Sequence, residues 1–269
     1  MTEIFDNIRS IYRFTLPCEE LADYIEFFSE SSAEATHAHI GNDRFTVKMF
    51  ASYTPTIWIN LGSAYHLTMG NTGYTIPNGK DILIIRDGTV ERHNLPGDYI
   101  FTIKFFPGGL ETLLALNQAK MINQVVDANE VLSPALIQRI RSADSFENRV
   151  QLLQQFFAGC LNRNKQQDHY IQFVKDTIAC YEAGSFQYNV NELSDRLFTS
   201  SKTINRYFNR VIGISPKDYF SILRARTALT ALVLNKKSFA PDNYGYYDMS
   251  HFYKEVTRFT GKKLTDQRL

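Results

Sequence analysis

The stretch Phe198–Pro216, FTSSKTINRYFNRVIGISP, decides how the rest of this 269-residue chain is read. Ser200 carries the short hydroxyl that caps a helix start. Ile204, Tyr207, Phe208, Val211 and Ile212 then recur at i, i+3, i+4, i+7 and i+8, the period of one buried helical face. The other face holds Lys202, Asn205, Arg206, Asn209 and Arg210 and no carboxylate. Side chains of these types hydrogen-bond base edges or neutralise phosphates. Gly213 supplies the left-handed residue that ends the helix, and Ser215-Pro216 opens the next one, with Pro in a first turn where its missing N–H has no partner to lose. Upstream, Asn189-Val190-Asn191-Glu192 reads as a cap with Glu at the third helical position, ahead of a short helix carrying Leu193 and Leu197. The order is helix, turn, helix.

An ordinary amphipathic helix with a solvated polar face gives the same local pattern. A repeat argues against that blander reading. Forty-eight residues on, Phe252 answers Ile204, Lys254 answers Arg206, Val256 answers Phe208, Arg258 answers Arg210 and Gly261 answers Gly213. Asp248 or Ser250 caps this second helix, Phe252, Val256 and Phe259 form its buried face, and His251, Lys254 and Arg258 lie off it. Between the units, Pro216 to Leu234 is a long helical run without Gly, enough to hold two motifs rigidly.

These residues resemble the AraC/XylS family of bacterial transcription regulators, whose DNA-binding domain has two helix-turn-helix units joined by a long helix. The likeness lies in Leu193-Ser194, Leu197, Ser200, Ile204, Arg206, Phe208, Gly213 and Ser215-Pro216, then in Tyr219, Arg224, Ala228 and Leu232. It resumes at Gly245-Tyr246, Asp248, Ser250-His251-Phe252 and Thr260-Gly261. Two features depart from it: Phe198 stands where the family's first turn has Gly, and Ser238–Gly245, SFAPDNYG, is about two residues shorter than usual, so that the second unit's supporting helix is short and starts at Pro241. The resemblance implies that Lys202, Asn205 and Arg206 read bases, with Ser200 and Arg210 nearer phosphates, and that Met249, Ser250, His251 and Lys254 form a second set. Arg206 can pair bidentately with guanine and Asn205 with adenine.

Charge is divided in the same way. Residues 165–269 hold 16 Lys or Arg against 10 Asp or Glu, a balance of +6, while the preceding residues hold 13 against 18, or −5. A basic module on an acidic body suits DNA binding by one part only. Cys18, Cys160 and Cys180 are widely spaced, which excludes a CxxC zinc site and argues against a disulfide framework. No apolar run reaches membrane-spanning length and the N-terminus has no leader pattern, so the expected location is cytoplasmic.

From Arg44 to Phe106 short apolar or alternating runs, among them FTVKMF, TIWINL, DILII and YIFTIKFF, are punctuated by Gly62, Gly70, Asn78-Gly79, Asp87-Gly88 and Pro96-Gly97, which predicts a small β-sandwich or barrel. Before it, residues 1–34 fit a helix or a strand. After it, Pro107-Gly108-Gly109 releases a helical pattern of Leu110, Leu113, Leu114 and Leu116, then Leu136, Ile137, Ile140, Val150, Leu153, Phe156 and Phe157. This layout resembles the regulatory half of AraC-type proteins. The expected class is therefore α+β, with a cupin-like sensor barrel over 1–109, a helical dimerisation and linker region over 110–165, and an all-α double helix-turn-helix domain over 166–269. Double-stranded DNA, a small effector held in the barrel, a second copy of the chain and RNA polymerase are the partners implied, and no membrane.

His37-x-His39 has the spacing of two strand-borne metal ligands, and His66 and His93 fall in the same barrel. No carboxylate follows His39 closely and no Gly frames the pair, so packing or surface roles are expected, with neither metal nor cofactor. No Gly-rich phosphate loop, GxSxG elbow or HExxH occurs, and no catalytic residue is assigned. The expected function is sequence-specific regulation of transcription through two successive major grooves. Its rivals are a metal-dependent cupin enzyme with an accessory DNA-binding domain and a DNA-packaging protein indifferent to sequence.

Overall fold

The computed structural model describes residues 11–95, 97–163 and 169–260. The Pro96 turn and Gly261, expected to close the second unit, lie outside the described residues.

Among the described residues ten strands form two antiparallel sheets. Six of them, β1 (Tyr12–Thr15), β2 (Ile25–Ser31), β9 (Ile100–Phe105), β4 (Pro55–Asn60), β7 (Ile82–Ile85) and β10 (Val125–Asp127), pair in that order. The other four, β3 (Phe45–Met49), β8 (Val90–Asn94), β5 (Tyr65–Met69) and β6 (Thr72–Ile76), make the second sheet. The expected strands are present, but the barrel is not closed: the sheets face each other as separate layers with their own edges. Residues 11–34, readable either way, supply β1 and β2.

Strand period divides the larger sheet between two cores. Trp58, Ile82, Ile84 and Ile100 point toward the small sheet and meet Val47, Tyr65, Leu67 and Val90. Ile57, Ile59, Leu83, Ile85, Phe101, Ile103 and Phe105 turn to the opposite side, where helices cover them. Those helices are α2 (Gly109–Leu114), α3 (Pro134–Ser142) and α4 (Phe146–Arg163), following a short α1 (Ala33–Ile40). Leu110, Leu113, Leu136, Ile140, Leu153 and Phe157 are all buried in this intrachain core. Many of the apolar residues read as a dimerisation region are thus used within the chain, because a sheet buried on both sides needs a second cover, while Leu114, Leu116 and Phe156 are only partly buried.

The space between the sheets is filled as well. Arg92 is buried there, donating to Asn94 Oδ1 at 3.0 Å and to Tyr12, and it faces Asp98 at 3.4 Å and the Trp58 ring at 5.1 Å. The cavity left there is small, about 20 Å³.

The last part of the chain is helical: α5 (His169–Ala183), α6 (Val190–Arg196), α7 (Ser201–Val211), α8 (Pro216–Leu234) and α9 (Met249–Thr260). The segment ahead of α9 is a single 3-10 turn, Pro241–Tyr244, as its Pro and short length predict. Among the described residues no helix is long and apolar enough to cross a membrane.

Candidate nucleic-acid interface

The first helix-turn-helix is built as its sequence dictates. Asn189 caps α6 in a reciprocal box, accepting from Glu192 N at 3.1 Å while its own N–H donates to Glu192 Oε2 at 2.7 Å. Ser200 caps α7 by accepting from Thr203 N at 3.1 Å. Ile204, Phe208, Val211 and Ile212 are buried with Ile171 and Val174 of α5, Leu193 of α6, and Tyr219 and Phe220 of α8. Tyr207 is only half-buried and is held at the rim by the Phe173 ring and by His169 Nε2 at 3.2 Å.

That packing leaves Lys202, Asn205, Arg206, Asn209 and Arg210 exposed on one face. Asn205 and Asn209 fold their amide nitrogens back onto the backbone carbonyls of Ser201 and Asn205, each at 2.8 Å, which leaves their side-chain carbonyls outward. The Arg206 guanidinium lies over the Tyr207 ring at 4.9 Å. Arg210 differs from the rest: it donates to Tyr170 Oη at 2.8 Å and pairs with Glu111 of α2 at 3.1 Å, yet remains 45% exposed.

In the second unit Asp248 rather than Ser250 is the cap, its Oδ1 accepting from His251 N at 2.7 Å. Phe252 and Val256 are buried, and Phe259 is half-buried against Phe50 at a ring distance of 5.8 Å. Ser250, His251 and Lys254 are exposed, whereas Met249 is half-buried and packs on the unit's core. Arg258 donates to Ser221 Oγ of α8 at 2.9 Å. Arg224 and Glu255 tie α8 to α9 in a forked pair at 2.7–2.9 Å. Burial opposes the Glu255 charge, but the hydrogen bond from Ser221 and the Arg224 charge and hydrogen bonds overcome it and hold the carboxyl below its ordinary range.

Nothing in the local sequence pattern signals how firmly these helices dock on the β-rich half. Asn117 Nδ2 donates to Arg210 O at 3.0 Å, and Gln118 Nε2 donates to Tyr53 O at 2.9 Å and Ile212 O at 3.3 Å, so the end of α7 is capped from the other half. Gly213, at φ +98°, closes α7, and a Cβ on it would come within 2.3 Å of Ile122 Cδ1. Gly108 makes the matching approach, where a Cβ would lie 2.7 Å from Ile171 Cγ2. Arg226 of α8 meets Glu26 of β2, which Lys104 also faces at 3.4 Å. Although burial works against it, those cations bring the Glu26 carboxyl down to about 2. Beside this clamp a cavity of about 630 Å³ opens between the halves, lined by Glu26, Thr54, Lys175, Tyr219, Arg226 and Thr230 among others. The Lys175 ammonium is buried, lies 4.1 Å from the Tyr24 ring centre and has no hydrogen-bond partner among the described residues.

The histidines do not converge. His37 and His39 lie on α1, a helix rather than the strand their spacing suggested, because the Ser32 side chain caps Ala35 N and starts a helix there. His66 and His93 face each other across β5 and β8 and hydrogen-bond to Thr75 at 3.1 Å and Thr46 at 2.9 Å. Among the described residues no three His, Cys, Asp or Glu side chains are grouped to hold a metal.

Comparison with known proteins adds three findings. Residues 193–268 match a family described as a helix-turn-helix domain, which spans α7, α8 and α9. Among solved structures, the chain is similar to the K231A variant of apo ToxT from Vibrio cholerae at 13% identity, covering 83% of this chain and 92% of that one with a TM-score of 0.49. It is similar to V. cholerae ToxT bound to an unsaturated fatty acid at 13% identity, over 82% and 91% of the two chains with a TM-score of 0.46. To the AraC-like transcriptional activator CuxR it is 11% identical over 83% and 88%, with a TM-score of 0.32. No curated protein matches the chain. The repeated capped helices, their basic carboxylate-free first face and the matched segment together assign the C-terminal third of this chain to the AraC-type helix-turn-helix domains.

Proposed function

We propose that this protein is a sequence-specific transcription regulator that lays α7 in one major groove and α9 in the next. The observation that carries the reading is the exposed face of α7, where Lys202, Asn205 and Arg206 stand beside a capped N-terminus with no carboxylate between them. Helix α8 has 19 residues, roughly 28 Å at 1.5 Å per residue, a length suited to grooves about 34 Å apart. Lys202, Asn205 and Arg206 are then the stronger base readers, and Ser250, His251 and Lys254 the weaker set. Met249 contributes through packing rather than through its exposed surface.

In this reading the β-rich half regulates and does not catalyse, and its effector sits between the halves rather than between the sheets. The cavity there has apolar walls from Ile178, Leu223 and Leu234 and a buried, unpartnered ammonium on Lys175, which suits a molecule with an apolar body and one acidic group. Such a ligand would touch α5 and α8 together with β2, and so would alter how the reading helices are held.

Selection of bound duplexes from a random pool tests the proposal. Recovery of one asymmetric site by the wild-type chain, with preference relaxed at one base by Arg206→Ala, is the expected result. Equal binding of selected and random duplexes would favour the packaging reading instead.

A further inference from the structure

Two aromatic side chains stand in water at the entrances to the reading helices. Phe198 is 98% exposed and Tyr247 is 92% exposed. Phe198 lies two residues before the cap Ser200, and Tyr247 immediately precedes the cap Asp248. Among the described residues neither belongs to a hydrophobic cluster.

Phe198 is also disfavoured by its backbone. It sits at φ +52° and closes α6, with its N–H donating to Asp195 O at 3.3 Å and the next N–H to Ser194 O at 2.9 Å. Glycine fills such a left-handed position without steric cost, and a β-carbon with a ring does not. A Phe here therefore works against the fold twice, through strain and through exposed apolar surface. A residue held against the fold's own preference is a candidate for function.

We propose that Phe198 and Tyr247 are DNA-contact residues that pack on apolar atoms of the duplex, thymine methyl or deoxyribose, beside α7 and α9. The proposal rests on the reading of α7 and α9 as groove-entering helices. In a helix-turn-helix the N-terminal residues of the second helix reach the base edges. A side chain one or two positions ahead of that N-terminus consequently stands beside the flanking nucleotides. The major groove offers it the 5-methyl of thymine, and the groove wall offers sugar carbons. Uncharged rings displace no counterions, so this contribution adds affinity without adding to the salt slope. Both units carry such an aromatic although their reading faces differ, which argues for a shared partner.

The test uses the full chain and a duplex that it selects, with Phe198→Gly and Tyr247→Ala made singly and together. Phe198→Gly is expected to melt above the wild type, since Gly relieves the strained turn, and yet to bind the selected duplex on the order of fivefold more weakly, the scale of one buried methyl contact. Tyr247→Ala loses a similar factor at unchanged melting temperature, and the salt slope stays constant for both. A matched duplex with deoxyuridine for thymine separates the two sources. A methyl contact makes wild type and variant alike on it, and a sugar contact preserves the difference. Selected-duplex binding equal to wild type in both variants would overturn the proposal while leaving the groove reading intact. So would normal DNA binding with transcription lost only when purified RNA polymerase is added, because the rings would then face the polymerase. If the wild-type chain selects no duplex at all, the groove reading falls and the proposal falls with it.

Discussion

The buried face of helix α7 is packed by helices of its own half, α5, α6 and α8, which bury Ile204, Phe208 and Val211, while Asn117 and Gln118 of the β-rich half meet its end. Helix α9, its counterpart in the repeat, completes its core with Phe50 and Ala51 from the β-rich half, and ahead of it stands only the single turn Pro241–Tyr244. Thr89 Oγ1 donates to Phe259 O at 2.6 Å from that same distant half. Two helices that repeat each other in cap, period and charge are thus stabilised by different parts of the chain. Local signals make a helix, and the surface it leans on decides how independent it is. Part of the second unit's core is thus supplied by the docked β-rich half.

The largest effects should separate the two units. Phe50 is fully buried against the second core, so Phe50→Ala should cost about 3–5 kcal/mol in hydrogen-exchange protection of α9 while α7 amides keep theirs. Phe208→Ala should do the reverse, with a similar loss across α7. Coincident loss of protection in both helices for either variant would show one cooperative unit and remove the contrast.

Next in size is the Arg224–Glu255 pair, the second unit's tie to α8. Removing one member of a largely buried pair costs about 3 kcal/mol, so Arg224→Ala should release α9 and leave α7 protected. The Glu255 carboxyl has a folded pKa below its unfolded value. Its contribution is therefore complete above the unfolded value, roughly pH 4.3, and is lost as pH falls through the folded one. Wild-type α9 should open in that acid range ahead of α7, and a Glu255→Gln variant, weaker at neutral pH, should show no such step. An acid transition at the same pH in both proteins would assign it to another group.

Binding distinguishes the units by less. Arg206→Ala should cost about 1–3 kcal/mol on the selected site and relax one base position. Lys254→Ala, on the helix with the weaker set of base readers, should cost less on the selected site and relax its base preference less. A larger loss for Lys254→Ala would reverse the ranking of the two units.

Much of this was legible in the residues themselves. The cap at Ser200, the Asn189–Glu192 box, the extent of α8 and the short turn at Pro241 all follow from chemistry within a few positions, and each stands where that chemistry places it. Strands with apolar runs could be read too. β8, VERHN, escaped because its buried members include Arg92, whose partners Tyr12 and Asp98 come from elsewhere in the chain. The closed barrel was expected because strand pattern carries no information on closure. The docking of the halves was invisible for a related reason: Glu26, Glu111 and Gln118 are unremarkable in their own segments, and they acquire meaning only opposite Arg226, Arg210 and Ile212.

Those docking contacts lead to the smallest effect, which bears most directly on regulation. Arg210 lies on the face of α7 proposed to meet DNA, and the resemblance implies a place near phosphate, yet Glu111 of the β-rich half holds it at 3.1 Å with Tyr170 as a second partner. A phosphate would have to displace the Glu111 carboxylate, and that carboxylate would remain close to the DNA. Both factors weaken binding. The arginine is 45% exposed, and a pair of that exposure contributes at most about 1 kcal/mol. Glu111→Gln should accordingly raise affinity for every duplex by up to about fivefold, without altering which bases are preferred. Arg210→Ala in the Glu111→Gln background should abolish the gain and lower the salt slope by about one. If Glu111→Gln leaves affinity unchanged while Arg210→Ala still lowers the slope, the ion pair does not restrain the arginine. The contact between the halves would then act on DNA binding only by positioning α7.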